Sequence, residues 1–515
     1  MGVCYNRDDL VSPAGENFMK KEKIDMSIRK RLLAVVLTLT LLIACAPAVL
    51  AAEVQNTAAP AFTDVDASAY YSEGVTYMVE NGYMNGVSGT LFAPDGTITR
   101  GMVVTILYRM AGTPAAGFQG TFADVTEDAY YGLAVEWAAA NGLATGYDNG
   151  KFGPDDAVTR QQLAAFLWRY AKFTGADVSV GEDTNILSYT DALSVAEYAV
   201  EPMQWACGAG ILQGSDGSLL PDVSATRGQF ATMIFRFTAP KVKEITVAST
   251  TRDGVIPVYV TLPYGYDPAE TYPMVILCHG HGGNHNEWGG FDKITNGLAR
   301  KGIIAVTLDY PGCGISAESF QLNTMTNMKA DTLDTLNYVL KNYSADKDNV
   351  GIFGYSMGGR ITLELLAEER FDFAAVELVA PAEDTEDLKD LFGGKDNWPV
   401  LKAEAEEKGY AEWTTIYGQH QELSKAWFAD LEKYADGLAE AAAAKYTGPS
   451  LVIYATNDEA VHPAVSAAVA ETMGSQVLNT YADGHSYSFY GSDPHTISTV
   501  NGGSISFFTE QLLGK

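Results

Sequence analysis

The sequence predicts the α/β class: a domain built on a mainly parallel sheet, preceded by an all-α module of three repeats. Two observations carry this reading: one unit returns twice in the first half, and apolar strands alternate with helical stretches in the second. All seven histidines lie at or after His279, which confines imidazole chemistry to the second half. The 515 residues leave room for about two to four domains of roughly 100–200 residues. Hydrophobic residues make up 47% and charged residues 19%, enough to bury large cores. Acidic residues number 64 and basic residues 34, a formal charge of -30. Such a surface repels phosphate backbones, so no nucleic-acid partner is expected. Cys4, Cys45, Cys207, Cys278 and Cys313 show no CxxC spacing, so neither a zinc ribbon nor a disulfide framework is indicated.

The first 52 residues read as an N-terminal extension and leader. Arg29, Lys30 and Arg31 precede an apolar run from Leu32 to Ile43, and Ala44, Ala46, Ala48, Ala51 and Ala52 follow. A basic region, a short apolar stretch and a small-residue exit make a secretory signal peptide, with cleavage expected near Ala48 to Ala52. The run is shorter than the roughly 20 residues of a membrane span, and no transmembrane helix is expected in the mature chain. Met19 and Met26 are alternative starts closer to the basic cluster. Leu42-Ile43-Ala44-Cys45 also resembles a lipoprotein processing box, which would put a lipid on Cys45; the alternative is a chance cysteine. Either way the mature protein is expected outside the cytoplasm.

The repeats are read from spacing. Phe62-Thr63-Asp64-Val65 returns as Phe122-Ala123-Asp124-Val125 and, more weakly, as Tyr189-Thr190-Asp191. Asp64, Asp124 and Asp191 each stand 36 residues before an Arg in a Thr-Arg pair: Arg100, Arg160 and Arg227. Pro94, Pro154 and Pro221 each precede that Arg by six residues, and Gly86, Gly146 and Gly214 mark matching turns. Each unit reads helix, loop, helix. Thr159 suits an N-cap with Gln162 three residues on. The units are placed at 62–112, 121–171 and 188–237, and such short units must pack on one another to bury their apolar faces.

These residues resemble the surface-layer homology (SLH) repeat, whose pattern runs from F-x-D to I-T-R-A-E. The last element reads Ile98-Thr99-Arg100-Gly101-Met102, Val158-Thr159-Arg160-Gln161-Gln162 and Ala225-Thr226-Arg227-Gly228-Gln229, with the family's Glu absent from all three. The resemblance implies a pseudo-threefold module that binds anionic secondary cell-wall polymer, with Arg100, Arg160 and Arg227 as ligand contacts. A guanidinium fork suits a carboxylate; the alternative is that these side chains are structural caps or ion pairs.

From about residue 243 the chain alternates strands and helices. Gly354-Tyr355-Ser356-Met357-Gly358 directly follows the apolar run ending at Phe353 and precedes a helical stretch. This is G-x-S-x-G in the strand–turn–helix context that lifts a serine hydroxyl above a sheet. A serine needs a base, and the base an orienting acid, in the order Ser, Asp, His. Asp458 follows the strand Leu451 to Tyr454, and His485 follows the strand-like run Val477 to Tyr481. Both stand past strand ends, where open α/β sheets place their sites. Ser356 is therefore the candidate nucleophile, His485 the base and Asp458 the orienter, with Glu459 and Asp483 as fallback acids. The expected oxyanion donors are the N–H of Met357 and of His281, or else Gly280, in His279-Gly280-His281-Gly282-Gly283.

Together these residues resemble the α/β-hydrolase superfamily, in its esterase and serine-aminopeptidase-like branch. Asp309-Tyr310-Pro311-Gly312-Cys313-Gly314-Ile315-Ser316 is similar to that branch's D-x-R-G-x-G-x-S loop, with Pro311 in place of Arg. The resemblance covers 243–515 and implies hydrolysis through an acyl-enzyme, with no cofactor and no metal. Residues from about 385 to 447 interrupt the rhythm and are expected to form a helical cap, in which Trp398, Trp413 and Trp427 either line an acyl pocket or pack the cap. The expected protein is an exported, cell-wall-anchored serine hydrolase acting on a small carboxylic ester. The rivals are a serine peptidase of the same fold and a non-catalytic envelope protein.

Overall fold

The computed structural model describes residues 62–514, apart from 181–184, 416–417, 435–436, 481–483, 488 and 490–493, and apart from the side chains of 494–498. The leader, Cys45 and Asp483 lie outside the described residues. Each repeat contributes two helices: α1 (Ser72–Glu80) and α2 (Arg100–Met110), α3 (Gly132–Ala140) and α4 (Arg160–Phe173), α5 (Val200–Gly208) and α6 (Arg227–Phe237). Thr99, Thr159 and Thr226 cap α2, α4 and α6, and the last two form full capping boxes with Gln162 and Gln229. Repeat one has Met102 at the equivalent position, so it keeps only the threonine half.

The spacing of the repeats has a hydrogen-bonding cause. Within each repeat the Asp clamps its own loop: Asp64 accepts from the N–H of Phe92 and Ala93, Asp124 from Phe152 and Gly153, Asp191 from Leu219 and Leu220. Between repeats the contacts run in a circle. Arg100 Nε and Nη2 donate to Phe152 O and Thr145 O of repeat two, Arg160 to Leu219 O and Gln213 O of repeat three, and Arg227 to Phe92 O and Asn85 O of repeat one. The first backbone donors of α2, α4 and α6 follow the same path. Gly101 N–H reaches Pro154 O, Gln161 N–H reaches Pro221 O and Gly228 N–H reaches Pro94 O, so each helix start is satisfied by the next repeat. At the centre Ile98 N–H donates to Ala225 O, Ala225 N–H to Val158 O and Val158 N–H to Ile98 O, a closed ring of three bonds. The turn glycines are fixed by crowding: a Cβ on Gly86, Gly146 or Gly214 would sit 2.3–2.4 Å from the ring of Phe62, Phe122 or Tyr189.

The second domain starts three residues after α6. Its sheet has eight strands in the order β1-β2-β4-β3-β5-β6-β9-β10. They are β1 (Lys241–Ala248), β2 (Val255–Leu262), β3 (Tyr272–Cys278), β4 (Ile304–Leu308), β5 (Ala345–Tyr355), β6 (Ala375–Val379), β9 (Ser450–Ala455) and β10 (Gln476–Thr480). Only β1–β2 and β2–β4 pair antiparallel; the other neighbours are parallel. The inner parallel strands β3, β4, β6 and β9 are almost wholly buried, which is why they read as apolar runs. Helices α7 (Asp292–Arg300), α8 (Met325–Asn342), α9 (Met357–Ala367), α14 (Pro463–Met473) and α15 (Pro494–Leu513) belong to this domain.

Between β6 and β9 lies the cap: α10 (Thr385–Leu391), α11 (Gly394–Lys408), α12 (Lys425–Lys433) and α13 (Leu438–Ala443), plus an antiparallel hairpin of β7 (Tyr410–Thr414) and β8 (His420–Ser424). The hairpin departs from the all-helical cap expected. Gln421 and Leu423, inside the stretch expected to be helical, are buried at strand spacing. Ser424 caps α12 from outside, and Gly437, with φ of 79°, starts a separate α13. The cap is held from below by Arg360 of α9. That side chain is fully buried and donates to the carbonyls of Ala382, Glu383, Leu431 and Tyr434.

The two domains touch through Arg300 at the end of α7. Its guanidinium donates to Phe235 O at 2.8 Å and to Thr238 Oγ1 at 2.9 Å, and it lies 3.9 Å from the centre of the Phe235 ring. A cation is thereby placed on the carbonyl end of α6, where the helix dipole favours it.

Two predictions follow from this architecture. Arg160→Ala leaves Leu219 O and Gln213 O without their donor and is expected to cost about 2–3 kcal/mol. Urea unfolding of the full chain checks it, and a cost below about 0.5 kcal/mol would show that water replaces the guanidinium. Glu377, fully buried in β6 and bonded by Ser504 Oγ, is pushed up to about 8 by burial. Folded protein then keeps a proton that the unfolded chain releases near its ordinary 4.5. Stability should fall as pH rises from about 4.5 to about 8. In Glu377→Gln this component of the slope should vanish in melting curves taken across that range.

Candidate active site

Ser356 stands at the turn between β5 and α9, with φ of 53° and ψ of -115°. A non-glycine residue held at positive φ is strained, and such strain collects at functional sites. The turn is possible only because its neighbours lack side chains. A Cβ on Gly354 would lie 2.4 Å from Gly358 O, and one on Gly358 would lie 2.0 Å from Cys278 O.

The structure brings Ser356, His485 and Asp458 together from three strand ends. His485 Nε2 is 3.0 Å from Ser356 Oγ, and His485 Nδ1 is 3.0 Å from both Asp458 oxygens. All three are buried. Asp458 is held independently: Oδ1 accepts from the N–H of Ala460 and Val461, and Oδ2 accepts from Tyr487 Oη at 3.0 Å. Burial alone would push its carboxyl up. The His485 hydrogen bond and charge and the two backbone donors outweigh burial and hold it below the usual carboxylate range. An ionised Asp458 keeps a proton on Nδ1 and leaves the Nε2 lone pair facing Ser356. In this geometry the imidazole is able to take the hydroxyl proton.

Glu459, a fallback acid, accepts His485 N–H at 3.1 Å and so engages the backbone, not the ring. His462 caps α14 and His420 lies in β8. Met357 N–H is the first of α9, a position without an intrahelical acceptor. Gly280 N–H is occupied by Glu287 Oε1 at 2.6 Å, whereas His281 N–H has no hydrogen-bond partner among the described residues. Of the two sequence candidates, His281 is thus the one with a donor to spare.

A cavity of about 460 Å³ opens over Ser356. Leu388, Leu391, Phe392 and Trp413 of the cap and Met357 of the core give it apolar walls, while Glu459 and Ser486 stand on its polar side. Of the three cap tryptophans only Trp413 lines the cavity; Trp398 and Trp427 pack against Phe428 inside the cap. Sequence reasoning missed Tyr487, Glu287, Gln419 and Gln421. Tyr487 had a weak signal, two residues after His485; the others had none. Among the described residues no cluster of His, Cys, Asp and Glu is arranged to hold a metal ion, and no helix is long and apolar enough to cross a membrane.

Arg100, Arg160 and Arg227 are 7–8% exposed. The Nε–Nη2 edge of each is spent on carbonyls of the next repeat. Only Nη1 of each is without a bond among the described residues.

Family models match both halves of the chain. A family model for the S-layer homology domain matches residues 61–101, 121–164 and 188–231, and one for the alpha/beta hydrolase family matches residues 275–499. The chain joins three S-layer homology repeats to an alpha/beta hydrolase domain. Similar relatives include an endoglucanase of Bacillus sp. (strain KSM-635), 29% identical over 34% of this chain and 18% of its own length. A surface-layer 125 kDa protein of Lysinibacillus sphaericus is 28% identical over 35% of this chain and 15% of its own length. The chain thus spans under a fifth of these relatives. Among solved structures, Est1E from Butyrivibrio proteoclasticus aligns over 53% of this chain and 99% of its own, with 20% identity and a TM-score of 0.42. An esterase from Exiguobacterium antarcticum aligns over 52% and 99%, with 18% identity and a TM-score of 0.38.

Within the hydrolase domain, Asp458→Asn keeps the geometry but lets Nδ1 lose its proton. The expected loss in kcat is about 10⁴-fold with the fold intact, measured on a chromogenic ester beside a circular-dichroism melt.

Proposed function

We propose that this chain is a cell-envelope serine hydrolase that cleaves carboxylic esters through an acyl-enzyme and is held to wall polymer by its three repeats. The observation that carries the reading is the 3.0 Å approach of His485 Nε2 to Ser356 Oγ, with Asp458 behind the ring. Ser356 Oγ attacks the ester carbonyl as its proton passes to His485. The tetrahedral oxyanion is met by the N–H of Met357 and His281. His485 then gives its proton to the departing alkoxide. A water, deprotonated by His485, repeats the sequence on the acyl-enzyme and releases the acid.

The cavity favours a neutral acyl group. Its cap walls are leucine and aromatic, and among the described residues neither Lys nor Arg lines it. A peptidase is the second reading, because the Glu459 carboxylate on the cavity wall could hold a peptide's ammonium end. Polymer binding rests on the repeats and on relatives such as the surface-layer protein of Lysinibacillus sphaericus and a cellulosome-anchoring protein of Acetivibrio thermocellus. At Arg100, Arg160 and Arg227 a contact with an anionic polymer would run through Nη1. Exposed tyrosine rings, Tyr198, Tyr70 and Tyr130 in that order, stand in their electrostatic reach and offer stacking faces for sugars.

One co-sedimentation experiment tests both halves. The full chain mixed with purified cell-wall sacculi should carry ester-hydrolysing activity into the pellet. Ser356→Ala should pellet equally with nearly all turnover gone, and activity left in the supernatant would sink the anchor. Amide and ester versions of one hydroxycinnamoyl group, each corrected for its uncatalysed rate, should differ in kcat/KM by at least ~100-fold in favour of the ester, about 2.7 kcal/mol. A corrected ratio favouring the amide selects the peptidase.

A further inference from the structure

We propose that the cap hairpin places the oxyanion donor, with Gln421 and Gln419 as positioning residues that hold the His281 peptide in register with Ser356. The inference rests on the hydrolase reading above and adds to it the element that sets its catalytic geometry.

Three bonds pin the loop around the His281 N–H. On one side Gly280 N–H is tied to Glu287 Oε1 at 2.6 Å. On the other, Gly282 O accepts from Gln419 Nε2 at 3.0 Å. His281 itself is held by its ring, whose Nε2 lies 2.8 Å from Gln421 Oε1. Burial drives the imidazole down to about 4, so it is neutral at neutral pH and its Nε2–H donates to the amide oxygen. Phe320, Phe392 and Trp427 surround the ring at 5.5–5.9 Å between centres. Two of the three pins therefore come from the cap, about 140 residues further along the chain. The fit leaves no slack. Gly282 has φ of 67°, and a Cβ there would lie 2.6 Å from Gln421 Nε2 and 2.7 Å from Gln419 Oε1.

The hairpin also faces the substrate. Gln421 pairs across the strands with Trp413, whose ring lines the acyl side of the cavity. Acyl recognition and donor placement thus share one rung of a two-stranded ladder. An oxyanion donor acts only if it is fixed before charge develops, and a displacement of about 1 Å costs about 10²-fold in rate. Loosening this clasp should lower the rate of the chemical step and leave ground-state binding of the ester nearly untouched.

The test is steady-state kinetics on a p-nitrophenyl ester with the full chain, comparing wild type, Ser356→Ala, Gln421→Leu, Gln421→Glu and Gln419→Leu. Gln421→Leu should lower kcat by about 10–100-fold, with KM within about threefold and the midpoint of the pH–rate profile unmoved, because His485 and Asp458 are untouched. Gln421→Glu keeps an acceptor for Nε2–H and should retain most of the turnover, which a loss of packing alone would not predict. If Gln421→Leu melts far below wild type, Gln419→Leu carries the same expectation through the Gly282 carbonyl. Wild-type kcat in both leucine variants, or a rise in KM alone, overturns the inference while inactive Ser356→Ala leaves the hydrolase reading standing. Full turnover in Ser356→Ala removes the hydrolase reading and this inference together.

Discussion

Two backbones touch at the heart of the hydrolase domain, and the site depends on that contact. The helix after the nucleophile comes so close to the end of β3 that a single methyl group on Gly358 would collide with Cys278 O at 2.0 Å and His279 O at 2.9 Å. The approach holds Ser356 in its strained turn. It also lays the start of α9 against the loop that begins at His279. Met357 and His281, which are 76 positions apart, present their N–H groups from adjoining backbones for that reason. The parallel order β3-β5-β6-β9-β10 then delivers the acid and the base, since parallel strands end on one edge and Asp458 and His485 stand past β9 and β10.

The repeat module obeys a different constraint. The first two backbone donors of α2, α4 and α6 find no acceptor within their own repeat. Each repeat borrows the loop carbonyls of the next, and the third borrows from the first. A circle of this kind cannot be built in parts, because removing one repeat leaves exposed donors on one neighbour and exposed carbonyls on the other. The regular 36-residue spacing between Asp and Arg is the linear trace of that circle. The Asp shapes the loop that the preceding repeat's Arg will grip.

Much of this was legible in the sequence, and the reason is locality. Ser356 announces itself through glycines two residues either side, and Asp458 and His485 each follow a short apolar strand. Thr159 and Gln162 form their capping box within one helical turn. What stayed hidden depends on partners far along the chain. Arg227 reads as a surface guanidinium until it is seen bonded to Asn85, 142 positions away. Gln421 lies in the stretch expected to be a helical cap, whereas its burial follows the two-residue period of β8. Glu287 carries no pattern at all; its role appears only when Gly280 N–H turns toward it. The three cap tryptophans were alike as letters and differ only in which ring faces the cavity.

Arg300 gives the molecule a mechanical character. Only residues 238–240 separate α6 from β1, and the half-buried guanidinium of Arg300 in α7 lies over the end of α6. There is no slack linker to swing on. In the structure three linking residues and one guanidinium set the height and heading of the cavity over Ser356 relative to the repeats. A hydrolase held to wall polymer in the way proposed above would not sweep a volume around its anchor; it would work one spot, and the traffic past that spot would decide what it cuts.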